Sequence, residues 1–202
     1  MNATVVDLEP TPGAVAAPLW TLPDRGKVGM LSFILAESAI FTIFVVAYLF
    51  YLGKSVSGPS PRDVLEVPIF YTICLLSSSV TIHLAGKRLE RDQQVAFVIL
   101  WLLTIALGGV FMYGTAEEWR RLIYEHGLTI STNLFGTTYY SLVGLHAFHV
   151  TLGLVMLTTA LMTGVAVGAR TQSARIAVLS LYWHFVDVVW IVVFTVVYII
   201  GR

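Results

Sequence analysis

Five apolar runs dominate this 202-residue chain, at about Val28 to Leu52, Val67 to Ala85, Val95 to Tyr113, Phe135 to Ala166 and Ile176 to Ile200. Each is close to the roughly 20 residues that carry a helix across about 30 Å of hydrocarbon. A chain built this way has few folds open to it. Lipid offers no hydrogen bonds to the backbone, so a spanning segment must satisfy its own amides, and a barrel would show runs of about ten residues with strict alternation. The expected fold is therefore all-α, a polytopic membrane bundle of five transmembrane helices, with the fourth helix long enough to project beyond the bilayer.

Composition agrees with that environment. Hydrophobic residues make up 57% of the chain and charged residues only 12%, against about 25% charged in soluble domains, and the mean hydropathy is +0.81. Lys+Arg and Asp+Glu balance at 12 each, which argues against nucleic acid as a partner. The single cysteine, Cys74, lies in an apolar run and lacks the companions that a disulfide or a thiolate metal site requires.

Residues 1–27 read as a polar tail, with Asp7 and Glu9 ahead of the first cation and prolines at Pro10, Pro12 and Pro18. A secretory leader opens instead on positive charge. Residues 28–202 form the five-helix membrane domain. Seven cations (Arg25, Lys27, Lys87, Arg88, Arg91, Arg170, Arg175) fall on the amino-terminal side of the membrane and five (Lys54, Arg62, Arg120, Arg121, Arg202) on the other. By the positive-inside rule the amino terminus is expected in the cytoplasm and the carboxy terminus outside.

Ionisable residues within the apolar runs are the candidate functional groups, because each is costly in lipid and tends to face the bundle interior. They are Glu37, His146, His149, His184 and Asp187. At about 1.5 Å of rise per residue, all five lie in the middle and inner half of the bundle and could meet. His146 and His149 are spaced i, i+3, as are His184 and Asp187, so each pair shares a helix face. Three readings stay open on the residues alone. The imidazoles could ligate a metal or haem, the network could fix helix packing with Asp187 accepting from a histidine, or Glu37 could handle protons or lipid. Glu118, Arg120 and Arg121, in AEEWRR after the third run, are possible lipid head-group contacts or a solvated loop face. Trp101, Trp119, Trp183, Trp190, Tyr139, Tyr140 and Tyr198 read as interfacial anchors. Gly108, Gly109, the serines Ser77 to Ser79, Gly144 and Gly153 read as positions of close helix approach.

Four stretches carry a resemblance: AESAIF in the first run, WLLTIALGGVFMYGTAEEW in the third, GLHAFHVTLG in the fourth and YWHFVDVVWIVVFTVVYI in the fifth. In this order they resemble subunit III of the haem-copper respiratory oxidases, the cytochrome c oxidase family, in its short five-helix bacterial form. The resemblance implies a non-catalytic accessory subunit in a bacterial cytoplasmic membrane that supports assembly, proton uptake and durability during turnover. It implies no catalytic residue, no metal and no cofactor in this chain, haem and copper in partner subunits, bound phospholipid, and subunits I and II as partners. The family's membrane glutamate corresponds to Glu37, its fourth-helix histidines to His146 and His149, and its last-helix pair to His184 and Asp187. Where the family often has Gln ahead of a Glu-Tyr ending, this chain has Thr115 followed by Glu118 and Trp119. Equivalent subunits of quinol oxidases and an accessory protein of nitric oxide reductases share the motif. From other classes, a self-contained haem or metal membrane protein or a small transporter remains open.

Overall fold

The computed structural model describes residues 25–55, 57–167 and 173–202, with side chains of 165–167 excepted. The tail expected over residues 1–27 lies outside the described residues up to position 24; its last three residues already belong to the first helix. That helix, α1, covers Arg25–Tyr51. It is followed by a single turn α2 (Pro61–Val64), then α3 (Ile69–Glu90), α4 (Gln94–Tyr124), α5 (Leu134–Val167) and α6 (Ser173–Phe194). A π-helical segment, Thr195–Ile200, continues α6 and is capped by Gly201. Five of these helices are long and apolar enough to cross a membrane.

Helix boundaries follow local chemistry. Pro61 opens α2 and Pro68 immediately precedes α3, positions where the missing N–H costs nothing. The turn from α3 to α4 is a Schellman closure, in which Asp92 adopts φ 61° and the N–H groups of Asp92 and Gln93 return to the carbonyls of Leu89 (3.1 Å) and Arg88 (2.9 Å). Helix α4 runs eleven residues past the expected end of its apolar run, so AEEWRR lies within α4 and is not a loop. Gly127, at φ 62°, then turns the chain back, and Leu128 donates to the Leu122 carbonyl at 2.9 Å.

α3 and α4 form a tight antiparallel hairpin, with Thr81 and Thr104 hydroxyls 2.7 Å apart between them. α5 and α6 pack against each other through the middle, and α1 lies against both. Three of the tryptophans expected at the membrane surfaces are instead core residues: Trp101, Trp183 and Trp190 are at most 1% exposed. Each spends its indole N–H on another helix, Trp101 on the Leu157 carbonyl (2.9 Å), Trp183 on Ser78 Oγ (2.8 Å) and Trp190 on Thr72 Oγ1 (3.2 Å). A buried indole needs such a partner, which makes it a directional link between helices.

Trp183 fits because two glycines make room for it. A Cβ built on Gly108 would lie 2.9 Å from its ring, and one on Gly153 would lie 2.8 Å from it. The ring is thus held between α4 and α5 while it bonds α3. Gly114 has no room for a side chain either, since a Cβ there would fall on the Tyr71 ring. Gly109, expected in the same role, faces open space.

Candidate functional site

The five ionisable residues do not form one cluster. Four of them form two separate links between helices, one joining α1 to α5 and the other α3 to α6. Glu37 on α1 and His149 on α5 meet at 3.2 Å, Oε2 to Nε2. His149 Nδ1 lies 2.8 Å from the Leu145 carbonyl, one turn earlier. A carbonyl only accepts, so Nδ1 carries a proton, and the Glu37 contact then holds one further proton. It sits either on the carboxyl, facing a neutral imidazole, or on the imidazole, facing a carboxylate. Tyr182 ties α6 to the same place, donating to the His149 carbonyl at 2.9 Å.

The second link joins α3 to α6. Ser79 donates to Asp187 Oδ2 and stands 2.9 Å from His184 Nδ1. One hydroxyl thus bridges the Asp187 carboxyl and the His184 ring across the two helices. The expectation that Asp187 accepts from a histidine is replaced by this serine-bridged arrangement. Asp187 is 3% exposed, and its Oδ1 has no partner among the described residues. The ring of His83, exposed on α3, lies 6.5 Å from that of His184.

His146 belongs to neither link. It is 1% exposed, and among the described residues neither ring nitrogen has a hydrogen-bond partner. Its ring stacks on Trp190, 4.9 Å between centroids and 29° between planes, and meets the edge of Phe111 at 5.9 Å. The imidazole here serves as an aromatic packing element. The i, i+3 spacing with His149 places the two on neighbouring faces, but only His149 reaches a carboxylate. Among the described residues no three His, Cys, Asp or Glu side chains converge as metal ligands would.

At the far end of α4, Glu118 accepts from Tyr198 on the π-helical segment, at 2.9 and 3.0 Å to its two oxygens. Arg120 pairs with Glu117 on the exposed side of the same helix. Arg121 reaches Glu66, ahead of α3, at 2.5 Å. The guanidinium holds the Glu66 carboxyl below the usual carboxylate range, chiefly through this hydrogen bond. The three residues named as head-group contacts thus each have an intramolecular partner. Ser79 and Tyr198 had no assigned chemistry; a serine run inside an apolar helix was the visible signal for the first, and none marked the second.

Two lipid-facing hollows flank α6. One, about 560 Å³, lies between α1 and α6 and includes Ser38, Thr42 and His184 in its walls. The other, about 600 Å³, lies between α5 and α6, with Thr159, Thr163 and Arg175 among otherwise apolar lining residues.

The sequence comparisons agree with this architecture along its whole length. The family model described as cytochrome c oxidase subunit III matches residues 21–202. The chain is 39% identical over 184 residues to cytochrome c oxidase subunit 3 of Synechocystis sp., covering 88% of this chain and 77% of that protein. It is 33% identical over 188 residues to cytochrome c oxidase subunit 3 of Alkalihalophilus pseudofirmus, covering 90% of each. To quinol oxidase subunit 3 of Bacillus subtilis it is 32% identical over 191 residues, covering 92% of this chain and 93% of that protein. A match that spans all five helices and the polar links between them shows the family: the chain belongs to the cytochrome c oxidase subunit III family.

Proposed function

We propose that this chain is a non-catalytic membrane subunit of a haem-copper terminal oxidase, holding no redox centre itself. Membership of the family carries the reading. The way its polar side chains are used supports it: Glu37, His149, Ser79, Asp187, Glu118 and Tyr198 are engaged in bonds between helices, an arrangement that fixes a scaffold. In this reading haem and copper reside in subunit I and subunit II, against which the bundle packs, with the amino terminus in the cytoplasm. The electron donor is cytochrome c. A quinol is the second reading, favoured by the 32% identity to a quinol oxidase subunit.

Bound phospholipid is part of the proposal. The hollow between α5 and α6 offers apolar walls and the Arg175 guanidinium, a combination that suits acyl chains below an anionic head group. The test is purification through a tag on this chain from its native membrane, with haem spectra and identification of the accompanying chains. A haem-bearing oxidase in stoichiometric amount is expected; a colourless chain recovered alone would overturn the reading.

A further inference from the structure

Two oxidisable side chains are buried together near the end of α6. Trp190 and Tyr198 are 1% and 2% exposed, with ring centroids 6.3 Å apart. Phe194 touches both, 6.2 Å from Trp190 and 5.5 Å from Tyr198. Indoles and phenols are the aromatic side chains that give up one electron most readily, and rings this close exchange an electron without rearrangement of the fold.

The two differ in what can take the proton. An oxidised phenol is a strong acid, so its radical forms readily only beside a base. The indole N–H of Trp190 meets the Thr72 hydroxyl, a poor base. Tyr182 and Tyr140 donate to the backbone carbonyls of His149 and Leu128, which are no better, and Tyr139 stands near Glu118 without bonding geometry. Among the described tyrosines only Tyr198 donates to a carboxylate, spanning both Glu118 oxygens at 2.9 and 3.0 Å. Glu118 also walls a hollow of about 340 Å³ shared with the solvent-facing Glu66 and Glu117. A proton taken by Glu118 therefore has a way to the aqueous surface.

We propose that Tyr198 is a redox-active tyrosine, with Trp190 as its relay and Glu118 as its proton acceptor, and that the site intercepts oxygen-centred lipid radicals in the surrounding bilayer. In the balanced step a lipid peroxyl radical gains one electron and, with a proton from the aqueous surface, becomes the hydroperoxide. The electron leaves the Tyr198 phenol by way of Trp190, whose radical cation is short-lived because no base stands beside it. The phenol O–H bond breaks, its proton passes to Glu118, and Tyr198 is left as the neutral phenoxyl radical. A reductant of the ascorbate or thiol class reverses the step, giving one electron to the phenoxyl oxygen while the proton returns from Glu118. This activity goes beyond the oxidase-subunit reading and does not depend on it.

The test uses the whole complex in native-membrane nanodiscs, with a lipid-soluble azo initiator as the source of peroxyl radicals and a nitroso spin trap whose adducts are located by mass spectrometry. An adduct on Tyr198 is expected. Tyr198→Phe should abolish it and raise oxidation at Trp190, which then lacks its outlet. Glu118→Gln keeps an acceptor oxygen for the phenol, and so the helix link, but cannot take the proton. Adducts at Tyr198 should then fall at least about tenfold, the scale on which a positioned base acts. An unchanged yield in the glutamine variant would overturn the proposal, because a packing contact alone is preserved there. Adducts confined to the exposed Tyr113 and Tyr124 in the unsubstituted chain would overturn it too. If Glu118→Gln does not accumulate, heavy water decides: slower adduct formation at Tyr198 supports the proton transfer, and an equal rate overturns it. Recovery of the chain without any haem protein would defeat the oxidase reading and leave this inference standing.

Discussion

His149 lies between a carbonyl of its own helix, Leu145 at 2.8 Å, and the Glu37 carboxyl of α1 at 3.2 Å. The first contact fixes which nitrogen carries hydrogen. The second consequently holds one proton that either partner can own, and this distinguishes the pair from a simple packing contact.

Glu37→Gln should preserve the link, because the amide N–H can donate to a neutral imidazole. Glu37→Leu leaves Nε2 without a partner between helices, a loss of about 1 kcal/mol by the values measured inside membranes. Thermal unfolding of the detergent-solubilised complex, followed by tryptophan fluorescence, should place the glutamine variant near the parent and the leucine variant below it. If the shared proton matters in turnover, the glutamine variant also inactivates sooner during oxygen consumption, whereas an unchanged decay confines Glu37 to packing.

Trp183 has room only because α4 and α5 present no side chain at two positions. Gly153→Ala and Gly108→Ala should each destabilise the bundle by roughly 1 to 3 kcal/mol, the usual cost of overpacking. Gly109→Ala is the control: it meets nothing within 4 Å and replaces a poor helix former, so it should be neutral or stabilising by up to about 1 kcal/mol. Equal effects at Gly109 and Gly153 would contradict the close approach.

Asp187→Ala removes the acceptor of Ser79 and with it the orientation of His184, at a cost of about 1 to 3 kcal/mol. Asp187→Asn keeps an acceptor oxygen at the same place and should retain most of the stability. Assembly yield and unfolding temperature of the two variants check this, and an alanine variant as stable as the asparagine variant would mean that the acceptor oxygen contributes nothing there.

The Glu66–Arg121 pair sets a pH dependence at one end of the bundle. Since Arg121 lowers the carboxyl's folded value, the contact stabilises the protein fully above the ordinary glutamate range near 4.3. That contribution is lost as the pH falls through the lowered value. Glu66 is largely exposed, so the effect is small. Glu66→Gln should lower the neutral plateau of an unfolding-temperature profile slightly and leave its acid end in place, so that the acid limb flattens.

Run length and spacing of apolar residues alone determined the number of spanning helices and their order. Hydrocarbon imposes a length and forbids unsatisfied backbone, so these features are written locally. The motifs AESAIF, GLHAFHVTLG and YWHFVDVVW carried the family in the same way. Which polar residues meet was decided only by the tertiary structure. A membrane helix is apolar on its lipid face and on its packed face alike, so periodicity does not report its rotation. Glu37 could therefore not be assigned to His149, nor Asp187 to Ser79, from spacing. For the same reason Trp101, Trp183 and Trp190 resembled surface anchors until the glycines opposite them showed where the rings fit. The buried ionisable residues that depth alone gathered into one site are held apart by helix rotation, as separate links between different helices.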